Sequence, residues 1–273
     1  MLKRIMPYYK LYKNWLTVLY SIYRKDDHIE LKLRSGKILN IELSNVFDYT
    51  FENYYDFSGG YIKINKFKFK LSEDNSVYNG DIGATFIRED YKWLRPKGNI
   101  VIDVGANIGD SSIYFASRGA FKVIALEPFP YSYRLARENI LNNGYGQKIV
   151  LLNAGYGKDS EITVEDRVTG VGDELVQSKE GVRIKIFSLK NLLNIYSIDS
   201  ALLKIDCEGC EYNLINEDDD TLHRFKRIQI EYHYGYERLK RRLDEAGFKL
   251  KYTEPTVGAN NKNMRLGYIY AKK

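Results

Sequence analysis

The chain has 273 residues, 44% hydrophobic and 29% charged, with only 5 prolines, a composition that excludes disordered and collagen-like proteins. It can bury a core of ordinary size as one large domain, or as one domain with a substantial appendage. The net charge of +6 raises nucleic acid as a partner, but residues 1–25 carry six Lys and Arg and no acid, which leaves the rest balanced at 36 bases against 36 acids.

The excess charge falls on an expected helix. Leu11, Trp15, Val18, Leu19 and Ile22 recur at helical spacing, with Lys10, Asn14, Thr17, Ser21 and Lys25 largely opposite them. Residues 1–25 therefore read as a basic amphipathic helix. Its apolar stripe is expected to dock on its own domain, and peripheral contact with an anionic membrane is the alternative. No stretch approaches the roughly 20 apolar residues of a membrane span. No small-residue cleavage pattern follows the run Trp15 to Tyr23. Two cysteines cannot build a disulfide framework, and without a secretory context Cys207 and Cys210 suggest a reducing compartment. A cytoplasmic protein is expected.

Residues 26–98 read as a β-rich extension. His28 to Leu33 and Lys37 to Leu43 flank Ser35-Gly36 as a hairpin, and Tyr61 to Ile64 with Phe67 to Leu71 form a second. Lys63, Lys66, Lys68 and Lys70 are expected to be solvated. A short helix is expected at Ile87 to Leu94, before the boundary Pro96-Lys97-Gly98.

From residue 99 to 273 strands alternate with helices. Strands are expected at Asn99 to Val104, Phe121 to Glu127, Lys148 to Asn153, Ser200 to Asp206 and Arg227 to His233, with helices at Asp110 to Ser117, Tyr131 to Asn143, Ser188 to Ile195 and Tyr236 to Ala246. Glu161 to Val164 and Val182 to Ile186 are expected to pair, and strands near Phe248 to Tyr252 and Arg265 to Ala271 complete the chain. This alternation predicts an α/β fold with a mostly parallel sheet covered by helices on both faces.

The run Val101-Ile-Asp-Val-Gly-Ala-Asn-Ile-Gly109-Asp110 is a strand, a glycine turn and a helix start. It fails the dinucleotide fingerprint, because Asn107 and Asp110 stand where glycines are required, and no Gly-Lys-Ser/Thr of a phosphate loop follows. Asp103 at the strand end would repel a pyrophosphate and suits the ammonium of an amino-acid moiety. Glu127 ends the next strand, where an acid reaches ribose hydroxyls. Together they point to S-adenosylmethionine, with the adenine over the third strand.

These residues carry a resemblance. Asp103-Val-Gly105-Ala-Asn107-Ile-Gly109, Glu127-Pro128, Asn153-Ala154 and above all Lys204-Ile-Asp-Cys-Glu-Gly-Cys-Glu211 resemble the FkbM family of class I methyltransferases, over roughly residues 80–273. The resemblance implies a Rossmann-like fold with a seven-stranded sheet. It also implies S-adenosylmethionine as cofactor, held by residues of these motifs, and methyl transfer to oxygen, typically in natural-product or glycan tailoring. Small apolar residues usually stand in that family where this chain has Cys207 and Cys210, so both are expected to fill space.

Methylating an alcohol requires positioning and removal of a proton. Asp206, Glu231 and His233 lie at or near strand ends where such sheets bind ligands, so they are candidate catalytic residues together with Glu208. His233, with an ordinary pKa of about 6.5, would be a base at neutral pH. Glu231 and His233, two apart, could share a strand face. Glu211 fits the dipole of a first helical turn, and Lys204 fits an ion pair with a carboxylate. Zinc at Cys207 and Cys210 would lack two further ligands. No metal is expected, although Asp206, Glu208 and Glu231 make a set that a divalent ion could use.

The expected acceptor is a hydroxyl on a small molecule, sugar or glycolipid. RNA methylation and a non-catalytic cofactor-binding scaffold remain the alternatives; nucleic acid is disfavoured by the balanced domain. The oligomeric state is left open.

Overall fold

The computed structural model describes residues 2–55, 58–72, 82–167, 175–257 and 264–273; the side chains of Leu2, Lys3 and Arg4 lie outside the described set. The chain forms two compact units, Met1–Asp90 and Tyr91–Lys273.

In the first unit the basic segment is two helices, α1 (Leu2–Leu11) and α2 (Trp15–Arg24), where the sequence predicts one. The break has a specific cause. Tyr12 leaves the helix to bridge Leu33, and the Asn14 side chain donates to Glu30 O while accepting from Lys32 N, so the linker adds a strand-like edge to the hairpin. That hairpin, β1 (His28–Lys32) and β2 (Ile38–Glu42), is antiparallel with His28 opposite Glu42, as expected. Helix α3 (Leu43–Tyr54) is a departure from the expected β texture. Its aromatic and β-branched residues suggest a strand, yet Val46, Thr50 and Phe51 are buried at helical spacing. The apolar stripe of α2 docks within this unit: Val18 and Tyr12 join Ile29, Leu31 and Val46, with Trp15 and Ile22 packed against them. A second hairpin, β3 (Tyr61–Ile64) with β4 (Phe67–Lys70), turns at Asn65 and exposes Lys63, Lys66 and Lys68 while burying Ile62, Ile64, Phe67 and Phe69. A π-helical turn at Ala84–Arg88 and a 3₁₀ turn at Asp90–Leu94 replace the helix expected from Ile87.

The second unit contains β5 (Ile100–Val104), α4 (Asp110–Ser117), β6 (Lys122–Leu126), α5 (Pro130–Asn142) and β7 (Ile149–Leu152). After these come β8 (Ala154–Tyr156), β9 (Ser160–Val164), β10 (Val182–Phe187), α6 (Leu189–Ile195) and β11 (Ala201–Ile205). A 3₁₀ helix, Cys210–Asn216, precedes α7 (Asp219–His223), β12 (Phe225–Tyr232), α8 (Glu237–Glu245), β13 (Lys249–Tyr252), β14 (Thr256–Val257) and β15 (Arg265–Lys272).

The main sheet runs β13-β15-β12-β11-β5-β6-β7, with β14 appended to β15. Neighbours from β12 to β7 are parallel, and β15 is antiparallel to both β12 and β13. The sheet is mostly parallel, as the alternating strands and helices predict, and β14 brings it to eight strands where the resemblance implies seven. Strand order reverses between β5 and β11, and a crevice at such a switch point, beyond the carboxyl ends of the strands, is where these sheets bind ligands. Strand β11 is buried throughout, which suits a strand at the centre of a sheet covered on both faces. A smaller sheet, β8-β10-β9, includes the expected β9–β10 antiparallel pair.

Candidate functional site

Three strand ends are stitched together around the glycine turn. Gly105 has φ 78°, and a Cβ there would lie 1.8 Å from the Asp206 carbonyl oxygen, so only glycine lets the exits of β5 and β11 approach this closely. The Gly105 and Ala106 amides both donate to Leu126 O at 3.0 Å, joining the turn to β6. Gly109, at φ 85°, brings the start of α4 against Ala136 of α5.

Glu127 closes the turn from β6. Its Oε2 accepts from Asn107 N at 2.8 Å and its Oε1 from Phe129 N at 3.0 Å. Burial pushes its pKa up to about 7, although these two amide bonds favour the charged form. Asn153 donates to the carbonyls of Glu127 and Pro128, and Ala154 N to Glu127 O, so the pair after β7 shapes the exit of β6.

Asp103 does not present the open carboxylate expected for a methionine ammonium. It is fully buried; Ser111 and Ser112 hydroxyls donate to its Oδ2, and Lys204 Nζ lies 3.3 Å from its Oδ1. The ion pair expected for Lys204 is therefore present. Lys204 also donates to Gly105 O at 2.6 Å and Val104 O at 3.2 Å. Burial works against its charge, but Asp103, Asp206 and Asp110 outweigh this and hold its pKa above the ordinary lysine value. Asp103 and Lys204 thus tie the strand ends together from below.

The second constellation sits where β11 and β12 end. Tyr91 Oη donates to Asp206 Oδ2 at 3.0 Å. His233 is 3% exposed. Its backbone N and Nδ1 both face Glu211 Oε1, at 2.9 and 3.0 Å, and its Nε2 lies 3.1 Å from Glu208 Oε2. Burial disfavours the imidazolium, but the Glu211 hydrogen bond and the charges of Glu211, Glu208 and Asp206 outweigh it and push the His233 pKa up to about 9. This upward push favours the imidazolium and works against the free base that an ordinary pKa suggests. Glu231 is pushed up to about 8 by burial and then by the nearby Asp206 charge. Donor atoms of Asp206, Glu208 and His233 come within 4.8 Å of one another, so the metal-capable set contains His233 in place of the Glu231 that sequence suggests.

Two further expectations change. Glu211 is fully buried and serves His233 and Gly209 N, so the helix-dipole account is replaced by a positioning role. Its signal was its place in the Lys204 to Glu211 block. Cys207 and Cys210 form a disulfide bracketing Glu208 and Gly209, whereas the sequence reading has two separate space-filling thiols in a reducing compartment. Tyr91 had no sequence signal, because it lies 115 positions from its partner Asp206.

The acid and the glycine turn at these strand ends suit an adenosyl cofactor. Glu127 at the end of β6 lies against the glycine turn that follows β5, while Lys204 is committed to the Val104 and Gly105 carbonyls. No curated protein matches the sequence. Among solved structures, TYW2 of M. jannaschii in complex with AdoMet is similar at 19% identity and TM-score 0.42, over 78% of this chain and 84% of that one. TYW2 of P. horikoshii in complex with MeSAdo is similar at 16% identity and TM-score 0.45, over 96% and 83%. Precorrin-6y C5,15-methyltransferase of Geobacter metallireducens GS-15 is similar at 15% identity and TM-score 0.39, over 68% and 88%. At these levels they assign no substrate. The family model of the methyltransferase FkbM domain matches residues 103–250, more than half the chain and all of the site residues just described except Tyr91. The chain belongs to the FkbM family of methyltransferases, enzymes whose methyl donor is S-adenosylmethionine.

Proposed function

We propose that this enzyme methylates a hydroxyl oxygen on a small molecule, sugar or glycolipid. The observation that carries this reading is the gathering of Asp206, Glu208, Glu231 and His233 at the ends of β11 and β12, beside the glycine turn of β5. Bound S-adenosylmethionine supplies an electrophilic methyl group on a sulfonium. Glu127 would accept hydrogen bonds from the ribose hydroxyls, and the turn Gly105–Gly109 would let the cofactor approach the backbone. Asn107, Pro128, Asn153 and Ala154 shape that seat, and Asp103 supports it through Lys204 rather than by touching the ligand.

With the acceptor hydroxyl held in line with that methyl group, the methyl would pass to oxygen as its bond to sulfur is given up, leaving a neutral thioether. The hydroxyl proton passes to the carboxylate of Asp206 or Glu208, while Glu231, pushed up to about 8, orients the acceptor as a protonated acid. Holding the two reactants in line supplies much of the acceleration, and proton removal adds about 10²–10⁴-fold.

A lipid-linked acceptor is supported by the first unit, where Leu16, Tyr20 and Tyr23 of α2 are exposed beside Lys13, Arg24 and Lys25. An aromatic and basic face of this kind suits an anionic membrane surface. The test is incubation with methyl-labelled S-adenosylmethionine and, in separate reactions, metabolite, glycan, glycolipid and tRNA fractions, followed by mass spectrometry. A new methyl ether on a hydroxyl compound is expected. Label found only in tRNA would overturn this reading.

A further inference from the structure

We infer that Asp206, Glu208 and His233 form a binding site for one divalent, oxygen-preferring cation of the Mg²⁺ or Mn²⁺ kind, placed to hold the acceptor hydroxyl. The inference rests on the hydroxyl-methylation reading for the cation's use, but not for its binding.

The three donors come from two adjacent parallel strands. Asp206 and Glu208 follow β11, and His233 follows β12, with their ligand atoms within 4.8 Å of one another. His233 is itself almost wholly buried, and its orientation is fixed from behind. Glu211 Oε1 accepts a hydrogen bond from Nδ1–H at 3.0 Å and another from the residue's backbone N–H. The ring is thereby turned so that Nε2 faces the carboxylate of Glu208. A carboxylate behind one ring nitrogen and a cation in front of the other is a recurrent way of orienting a histidine ligand.

Charge leads to the same place. Asp206, Glu208, Glu211 and neighbouring Glu231 surround a single imidazole, and the nearest lysine, Lys204, is 3.8 Å from Asp206 but already engaged with Asp103 and two carbonyls. A cation between Asp206, Glu208 and His233 offsets the repulsion among these acids; Nε2 gives up its proton to solvent on binding. The choice of metal follows from the donors. Two carboxylates against one imidazole favour a hard ion, and the soft sulfurs of Cys207 and Cys210 are bonded to each other and so are not thiolate ligands. Three protein ligands leave coordination positions for the acceptor oxygen and for water. There the cation would lower the acceptor's pKa and place its oxygen for attack.

The test uses the purified full chain, stripped with a chelator and titrated with MnCl₂ while free Mn²⁺ is read by electron paramagnetic resonance. One Mn²⁺ per chain is expected in the wild type. Asp206→Asn, Glu208→Gln and His233→Gln should each weaken binding at least about tenfold, and Glu211→Gln, which only positions the ring, by about 10–100-fold. Glu245→Gln, on the exposed side of α8, should bind as the wild type does. Adenosylhomocysteine affinity, measured on the same samples, should survive in the Mn²⁺-deficient variants, which shows that they are folded. A wild-type chain that binds adenosylhomocysteine but takes up no Mn²⁺ at about 1 mM overturns the cation site alone. Undiminished Mn²⁺ binding in Glu208→Gln and His233→Gln also overturns it, whereas loss of adenosylhomocysteine binding in the wild type would count against the methyltransferase site instead.

Discussion

Lys204→Met removes a charge from the centre of the sheet while keeping most of the side chain's length. The lysine is 1% exposed, and its Nζ serves Gly105 O, Val104 O and Asp103 Oδ1 at 2.6, 3.2 and 3.3 Å. Methionine leaves the two carbonyls without that donor and the Asp103 carboxylate with only the Ser111 and Ser112 hydroxyls. Breaking a buried pair from one side costs about 3–5 kcal/mol. For a unit of this size each kcal/mol lowers the melting temperature by about 2–4 °C, so a drop of about 6–20 °C is expected in thermal melts followed by circular dichroism. The double variant Asp103→Asn/Lys204→Met should lose less than the sum of the singles, with a coupling of about 1–3 kcal/mol. Because the folded Lys204 pKa lies above the ordinary 10.5, its contribution is fully present below that value and is lost only as pH rises through the higher folded pKa. The deficit should therefore be the same at about pH 6 and about pH 8. A loss under about 1 kcal/mol, or strict additivity, would refute the view that this pair braces the strand ends.

Gly105→Ala places a methyl into the Asp206 carbonyl and forces an alanine to φ 78°, so adenosylhomocysteine affinity should fall at least about tenfold and stability by about 2–4 kcal/mol, checked by calorimetric titration and denaturant melts. Glu127 has a folded pKa raised to about 7, and ribose hydroxyls favour its charged form; cofactor affinity should therefore strengthen as pH rises through about 7, and Glu127→Gln should flatten that dependence. Alkylation under non-reducing conditions should add no mass at Cys207 and Cys210, and two adducts should appear only after reduction, as read by intact mass. Vesicles containing phosphatidylglycerol should sediment the wild-type chain but not the variant Leu16→Glu/Tyr23→Glu, whereas equal sedimentation would remove the membrane face from the account.

Local patterns in the sequence carried much of the second unit. The strand, turn and helix around Gly105, the acid at Glu127 and the strand ends at Asp206 and His233 all lie where spacing and residue type place them, because each depends on a few consecutive residues. What escaped is what depends on distant partners. Asp103 looked available to a ligand because neither Ser111 and Ser112 nor Lys204 could be seen to converge on it. Glu211 looked like a helix-dipole acid because its partner His233 is 22 residues away, just past the end of β12. The upward push on the His233 pKa was hidden for the same reason, since it comes from acids brought beside the ring by the ends of β11 and the 3₁₀ helix. In the first unit, α3 was hidden by residues of high β propensity, and the break at Tyr12 to Asn14 depends on a hairpin that lies later in the chain.

The central claim is that the crevice over β5 and β6 seats the adenosyl cofactor through Glu127, and isothermal titration of adenosylhomocysteine tests it most directly. The wild type should show saturable binding at one site per chain, and Glu127→Ala should weaken it at least about tenfold with its melting behaviour intact. No binding to the wild type, or equal affinity in Glu127→Ala, would contradict the account.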